Sequence, residues 1–192
     1  MNNFKTNRVS LEETLPNFQV NKAWDQNGLN SCTACAFSDL VSLVGLSKNR
    51  LSPLFLYYNA RKIIDKIHLN CTLDFEDILQ AYQQYGICEE NFWAYNIQKF
   101  SKQPTDEAYN NAASFDQVQF SSVAHDLKEL TDKLALGTVI FAGIRFYRSN
   151  FNSFYQGEIS KSGYLHFPEI VEPSIFNHAV LLVAYNKNNR TF

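Results

Sequence analysis

In four segments between Ser31 and Gly137 the apolar residues of this chain return at three- and four-residue steps, and beyond Gly137 they do not. That change of period restricts the fold more than any other feature, because residues three and four apart share a helix face whereas strands alternate every second residue. Ala36, Phe37, Leu40, Val41 and Val44 set a first helix, with Ser31 as N-cap and Gly45 as stop. Ser52-Pro53 opens a second, which carries Leu54, Phe55, Tyr57 and Tyr58 and runs past Ile64. A third spans 73–85, acidic early at Asp74, Glu76 and Asp77 and stopped by Gly86. Val123, Leu127, Leu130 and Leu134 mark a fourth that ends at Gly137. Thr138 to Phe146 then reads as a strand, 147–176 as loops with short strands, and His178 to Tyr185 as a buried strand. Helices first and strands afterwards make an α+β fold rather than an alternating βαβ one. Residues 1–13 read as a surface arm and 15–24 as extended. Residues 96–117, polar and poor in aliphatics, read as a crossing between a helical lobe (1–115) and a β-rich lobe (116–192).

With 45% hydrophobic and 19% charged residues over 192 positions, the chain has enough apolar bulk for one substantial core. Lys plus Arg number 17 against 19 Asp plus Glu, so no basic excess advertises a nucleic acid or an anionic membrane as partner. No apolar run approaches the roughly 18 residues of a membrane span. The N-terminal segment lacks the apolar stretch of a cleavable signal, so the expected location is the cytoplasm, or a compartment reached without such a signal. In that setting Cys32, Cys35, Cys71 and Cys88 are expected as thiols.

Chemistry concentrates at Cys32. It stands at the predicted start of the first helix, behind the polar loop Asp25-Gln26-Asn27-Gly28-Leu29-Asn30-Ser31. A thiol at a helix N-terminus meets unpaired N–H groups and positive potential, which favour the nucleophilic thiolate. Gln26 is placed to give its amide N–H to an oxyanion alongside the Cys32 backbone N–H. His178, opening an apolar strand, is a rigidly carried candidate base 146 residues after the cysteine. Taken singly, each has a bland reading: a buried cysteine, a polar loop residue, a strand-end histidine. Taken together they fit a known cysteine–histidine spacing.

The segment from Asp25 to Phe37 resembles the active-site stretch of papain-like cysteine peptidases of the C1 family, with bacterial members nearest in pattern. Four further segments fall in the family's order. They are Leu51 to Arg61, then Tyr85-Gly86-Ile87-Cys88-Glu89-Glu90 with Trp93 and Tyr95, then Leu134 to Phe146, and then Asn177-His178-Ala179-Val180. The likeness spans roughly residues 15 to 186. It implies a papain-like two-lobed fold, one peptidase domain in which a central helix carrying Cys32 packs against an antiparallel β lobe. It further implies Cys32 as nucleophile, His178 as base and then acid, Gln26 as oxyanion donor, and Asn30, Ser31 and Asn177 as substrate-binding neighbours. The implied partner is a peptide or protein substrate, and no cofactor or metal is expected.

Departures from the family pattern carry expectations of their own. Leu29 stands where a disulfide-forming cysteine is common, Asn30 where glycine is common and Thr33 where an aromatic is common, and the usual glycine pair is not evident around Asn70-Cys71. Self-inhibition by a long cleavable pro-segment before Cys32 is not expected. A turn is expected at Asn186-Lys187-Asn188-Asn189, and Phe192 comes before the strand that carries the family's orienting asparagine. The resemblance therefore implies a chain truncated before that asparagine, with reduced or absent peptidase activity and a final strand whose bare edge invites self-association.

Three other readings compete. A papain-fold protein that binds without cleaving and an acyl transferase or amidase using the same Cys32–His178 pair both share this sequence. Cys32-Thr33-Ala34-Cys35 is also a C-x-x-C, but a polar loop rather than a hydrophobic strand precedes it, and Cys35 reads as core. His68, His125 and His166 have no metal-ligand spacing, and His166 is a distant second candidate for the base.

Overall fold

The computed structural model describes residues 22–45, 47–150, 165, 171–188 and 190–192. The expected arm at 1–13, most of the extended stretch 15–24, His166 and nearly all of the loops at 151–170 lie outside the described residues. The described chain runs α1 (Cys32–Leu43), α2 (Pro53–Ile63), α3 (Phe75–Tyr85), a short 3-10 turn (Ile97–Lys99), α4 (Asp106–Ala113), α5 (Leu127–Ala135), β1 (Ile140–Tyr147) and β2 (Ser174–Leu182). The mixed order of helices followed by antiparallel strands is the expected one. No helix among the described residues is long and apolar enough to cross a membrane.

Helix α2 is the centre of the helical half. Every residue from Pro53 to Arg61 is buried, which follows from a sequence apolar all the way round (Leu54, Phe55, Leu56, Tyr57, Tyr58). Ser52 caps it by accepting a hydrogen bond from the Phe55 N–H, and Pro53 takes the first turn, where its missing N–H costs nothing. Helices α1 and α3 pack on it, burying Phe37, Leu40, Val41, Ile78, Ala81 and Tyr82. At the start of α3 the Asp74 N–H donates to the Asp77 carboxylate at 3.0 Å.

Residues 96–117 are not a bare crossing. Within them α4 is capped by Thr105, whose hydroxyl accepts from the Ala108 N–H, and it buries Ala108 and Ala112 in the helical core. Its two buried residues are alanines, too small to show as a periodic hydrophobic stripe, beside a half-buried Tyr109 that meets Phe55 edge-on at 5.0 Å. The close approach is set at Gly86, where φ is +69° and ψ −154° and a Cβ would lie 2.8 Å from the Ala112 carbonyl oxygen. Gly86→Ala therefore combines a backbone region open almost only to glycine with a steric clash. It should destabilise the chain by about 2–4 kcal/mol, read from the urea midpoint.

The sheet half docks through Phe141, stacked on Phe75 at 4.0 Å between ring centroids and edge-on to Phe37 at 5.8 Å. β1 and β2 pair antiparallel, Ile140 opposite Leu182 and Ile144 opposite His178, with an irregularity at Phe146/Tyr147. β2 begins at Ser174, four residues before the expected start, so His178 sits within the strand and not at its mouth. Ser174 to Asn177 are exposed, and Asn177 with His178 separates Ile175 and Phe176 from the apolar run that follows. Past β2, Asn186 and Thr191 form a bridge (2.7 and 3.2 Å), and Asn189 of the expected turn lies outside the described residues.

Candidate active site

Cys32 is the first residue of α1, and β2 lies against that helix, so a thiol and an imidazole from opposite ends of the sequence meet. Burial pushes the Cys32 thiol up. The His178 side chain, the Ala179 backbone and the charge on His178 outweigh it and bring the thiol down to about 7 from an ordinary 9.0. At pH 7 about half the sulfur is thiolate, against a few per cent for a free cysteine. Thr33 Oγ1 lies 3.9 Å from Sγ, but its proton is committed to the Leu73 carbonyl at 2.8 Å. The effective support of the thiolate is therefore His178 and Ala179.

Ser31 occupies the N-cap position, but its side chain caps nothing. The Tyr95 hydroxyl lies 3.0 Å from the Gln26 carbonyl and 2.6 Å from Ser31 Oγ. A carbonyl only accepts, so Tyr95 donates to Gln26 and Ser31 must donate to Tyr95. The first-turn N–H groups of α1 are thereby left without a side-chain partner from Ser31, free for negative charge at the sulfur or beside it. Ser31 is fully buried, so this hydroxyl supports the loop from within and is not exposed to a ligand.

Gln26 is half-buried, and its Nε2 donates to the Leu29 carbonyl at 3.0 Å while the Leu29 N–H returns to the Gln26 carbonyl at 3.1 Å. One amide hydrogen is thus held and the second is spare. Asn30 is exposed and tied to Asn70, its backbone N–H on Asn70 Oδ1 at 2.8 Å and its Nδ2 on the Asn70 carbonyl at 3.1 Å. Asn177 is exposed beside His178, opposite Arg145 in the sheet. The ring of Phe146 stands edge-on to His178 at 6.0 Å and stacks on Phe176 at 5.0 Å.

Cys35 lies one turn along α1 from Cys32, buried, with its thiol pushed up to about 12, chiefly by burial. All four cysteines are free.

A solved structure of xylellain, a cysteine protease from Xylella fastidiosa, superimposes with a TM-score of 0.75 at 26% identity, covering 91% of this chain and 69% of that one. The fold is that of a papain-like cysteine protease. A curated relative agrees: an uncharacterised peptidase C1-like protein, L477, of Acanthamoeba polyphaga mimivirus is 29% identical over 192 aligned positions. That alignment takes in 93% of this papain-like chain, which spans 60% of the relative's length. No protein-family model matches the chain.

Residue type and spacing single out Cys32, His178 and Gln26 as candidates, and carry no such signal for the Ala179 backbone or for Asn70. The Ala179 contact is made by the main chain and leaves no mark on residue type. Asn70 acts across forty positions, and only its place in the loop before α3 connects it to the site.

Proposed function

We propose that this chain carries the catalytic centre of a thiol-dependent peptidase that hydrolyses peptide bonds through a thioester. The reading is carried by the depressed Cys32 thiol in contact with His178. The Cys32 thiolate attacks the scissile carbonyl carbon, and the electron pair of the C=O moves to oxygen. Gln26 Nε2 and the Cys32 backbone N–H supply hydrogen bonds to that oxyanion. His178 delivers its proton to the leaving amine as the C–N bond breaks, which leaves an acyl group on sulfur. Water then attacks the thioester, His178 takes its proton, and the carboxylate leaves with Cys32 restored. Asn30 and Asn177 flank the two reacting groups and contact the peptide on either side. A binding module would have no use for an ionised sulfur, which favours the enzymatic reading over a binder.

The test is covalent capture together with turnover. A peptidyl epoxide selective for cysteine-peptidase thiolates should label Cys32 stoichiometrically, and unfolded casein should be cleaved. Cys32→Ala should lose both, with cleavage down by at least about 10³-fold. Labelling spread over several cysteines, with casein intact, would count against the proposal.

A further inference from the structure

We infer that Asn70 is a positioning residue that fixes the oxyanion loop relative to Cys32. The inference rests on the thioester reading above and names the part that holds its loop in register. Asn70 brackets Leu29 on both sides: Oδ1 accepts the Asn30 N–H at 2.8 Å, and Nδ2 donates to the Gly28 carbonyl at 2.8 Å. Its own carbonyl accepts from Asn30 Nδ2 at 3.1 Å, so both of its polar ends and its backbone are engaged with one turn of loop. Leu29 is in turn the residue whose carbonyl receives Gln26 Nε2 and whose N–H closes on the Gln26 carbonyl. Holding Gly28 and Asn30 therefore holds the Gln26 amide and the approach to the α1 N-terminus together.

Asn70 is itself held from the buried side. The Tyr57 hydroxyl lies 2.9 Å from both Asn70 Oδ1 and the Cys71 carbonyl and shares its proton between them. The preceding residues are pinned by Arg61, fully buried, whose Nη1 donates to the Ile67 and Leu69 carbonyls at 2.8 and 3.0 Å. A rigid arm from the core thus ends in a three-point grip on the loop. Asn70 and Asn30 are exposed, so water replaces the hydrogen bonds if the grip is removed, and the fold loses little. The alignment of the loop is what is lost. An oxyanion donor displaced by about 1 Å costs up to about 10²-fold in rate.

Two reactions of Cys32 separate positioning from mere support. Iodoacetamide alkylates the thiolate and develops no oxyanion. p-Nitrophenyl acetate transfers its acetyl group to sulfur through one, releasing p-nitrophenolate. Both rates, with the melting temperature, are to be measured on the 192-residue chain, on Asn70→Ala, and on Tyr57→Phe, which keeps its ring and loses only the hydroxyl. For Asn70→Ala, acetylation should fall by about tenfold or more while alkylation stays within about threefold. Tyr57→Phe should show the same split at about threefold in acetylation. Acetylation of Asn70→Ala within about twofold of the wild-type rate, or an equal fall in both reactions, overturns the inference. A wild-type chain that is alkylated at Cys32 and never acetylated overturns the thioester reading, and the inference with it.

Discussion

His178→Ala is expected to lower the acylation rate of Cys32 at pH 7 by at least about 5 × 10³-fold. The effect has two parts. His178 provides both a hydrogen bond to the sulfur and a favourable charge, and these, with Ala179, offset the burial of the thiol. Without the imidazole, burial is left facing the Ala179 backbone and a weak Thr33 contact, and the thiol returns to 9.0 or above. A shift from about 7 to 9.0 takes the thiolate from about half to about 1% at pH 7, a loss of about fiftyfold. The remainder is the missing proton donor to the leaving group, which general acid catalysis values at about 10²-fold or more. Two measurements divide these parts. Rates with p-nitrophenyl acetate, whose phenolate needs little protonation to leave, should report mainly the first. Rates with an amide substrate should report both.

Arg61→Met is expected to produce the largest loss of stability among single substitutions in the helical core. Arg61 is fully buried at the end of α2, and its guanidinium gives hydrogen bonds to four carbonyls. Nε donates to Tyr57 at 3.0 Å, Nη1 to Ile67 and Leu69, and Nη2 to Phe100. Its plane lies over the ring of Tyr57 at 4.0 Å and that of Phe100 at 5.0 Å. Among the described residues its partners are carbonyls and ring faces, a set suited to a flat, weakly hydrated cation. Methionine keeps the apolar stem and strands the carbonyls. Each one left dry costs about 1–3 kcal/mol, and partial rehydration should hold the total to about 3–5 kcal/mol. For a domain of this size that is a fall of about 10 °C in the melting temperature. Arg61→Lys should lie in between, because one ammonium cannot reach carbonyls on both sides of the fork. A melting temperature for Arg61→Met within about 2 °C of the parent would show that the guanidinium is dispensable.

The helical half was the more legible in sequence because its signals are local. Ser52-Pro53, the early acids of α3 and the glycines after α1, α3 and α5 punctuate helices whose apolar residues recur at fixed steps. Helix α4 escaped because Ala108 and Ala112 bury a face without bulk, although Thr105-Asp106-Glu107 is a helix start by residue type. The beginning of β2 escaped because the polar Asn177 and His178 cut the short exposed pair Ile175-Phe176 off from the apolar run. At the site, the cysteine and histidine could be found by type and spacing. The role of Ser31 could not, since nothing local says that its hydroxyl leaves the helix end for a tyrosine 64 positions away. The hold of Asn70 on Gly28 and Asn30 is likewise a product of the folded loop arrangement. Local rules are readable from one chain; polar contacts across forty residues need the fold.

The most direct measurement is the pH dependence of iodoacetamide alkylation at Cys32, resolved from the other three cysteines by peptide mass spectrometry. The thiolate is the reactive form, so the rate should rise with pH through an inflection at about 7 and level off above it. Buried Cys35 and Cys88, both pushed up to about 12, should stay nearly inert across the same range. An inflection for Cys32 at 9 or higher would mean that its sulfur is not held ionised by His178 and the Ala179 backbone, and it would contradict the account.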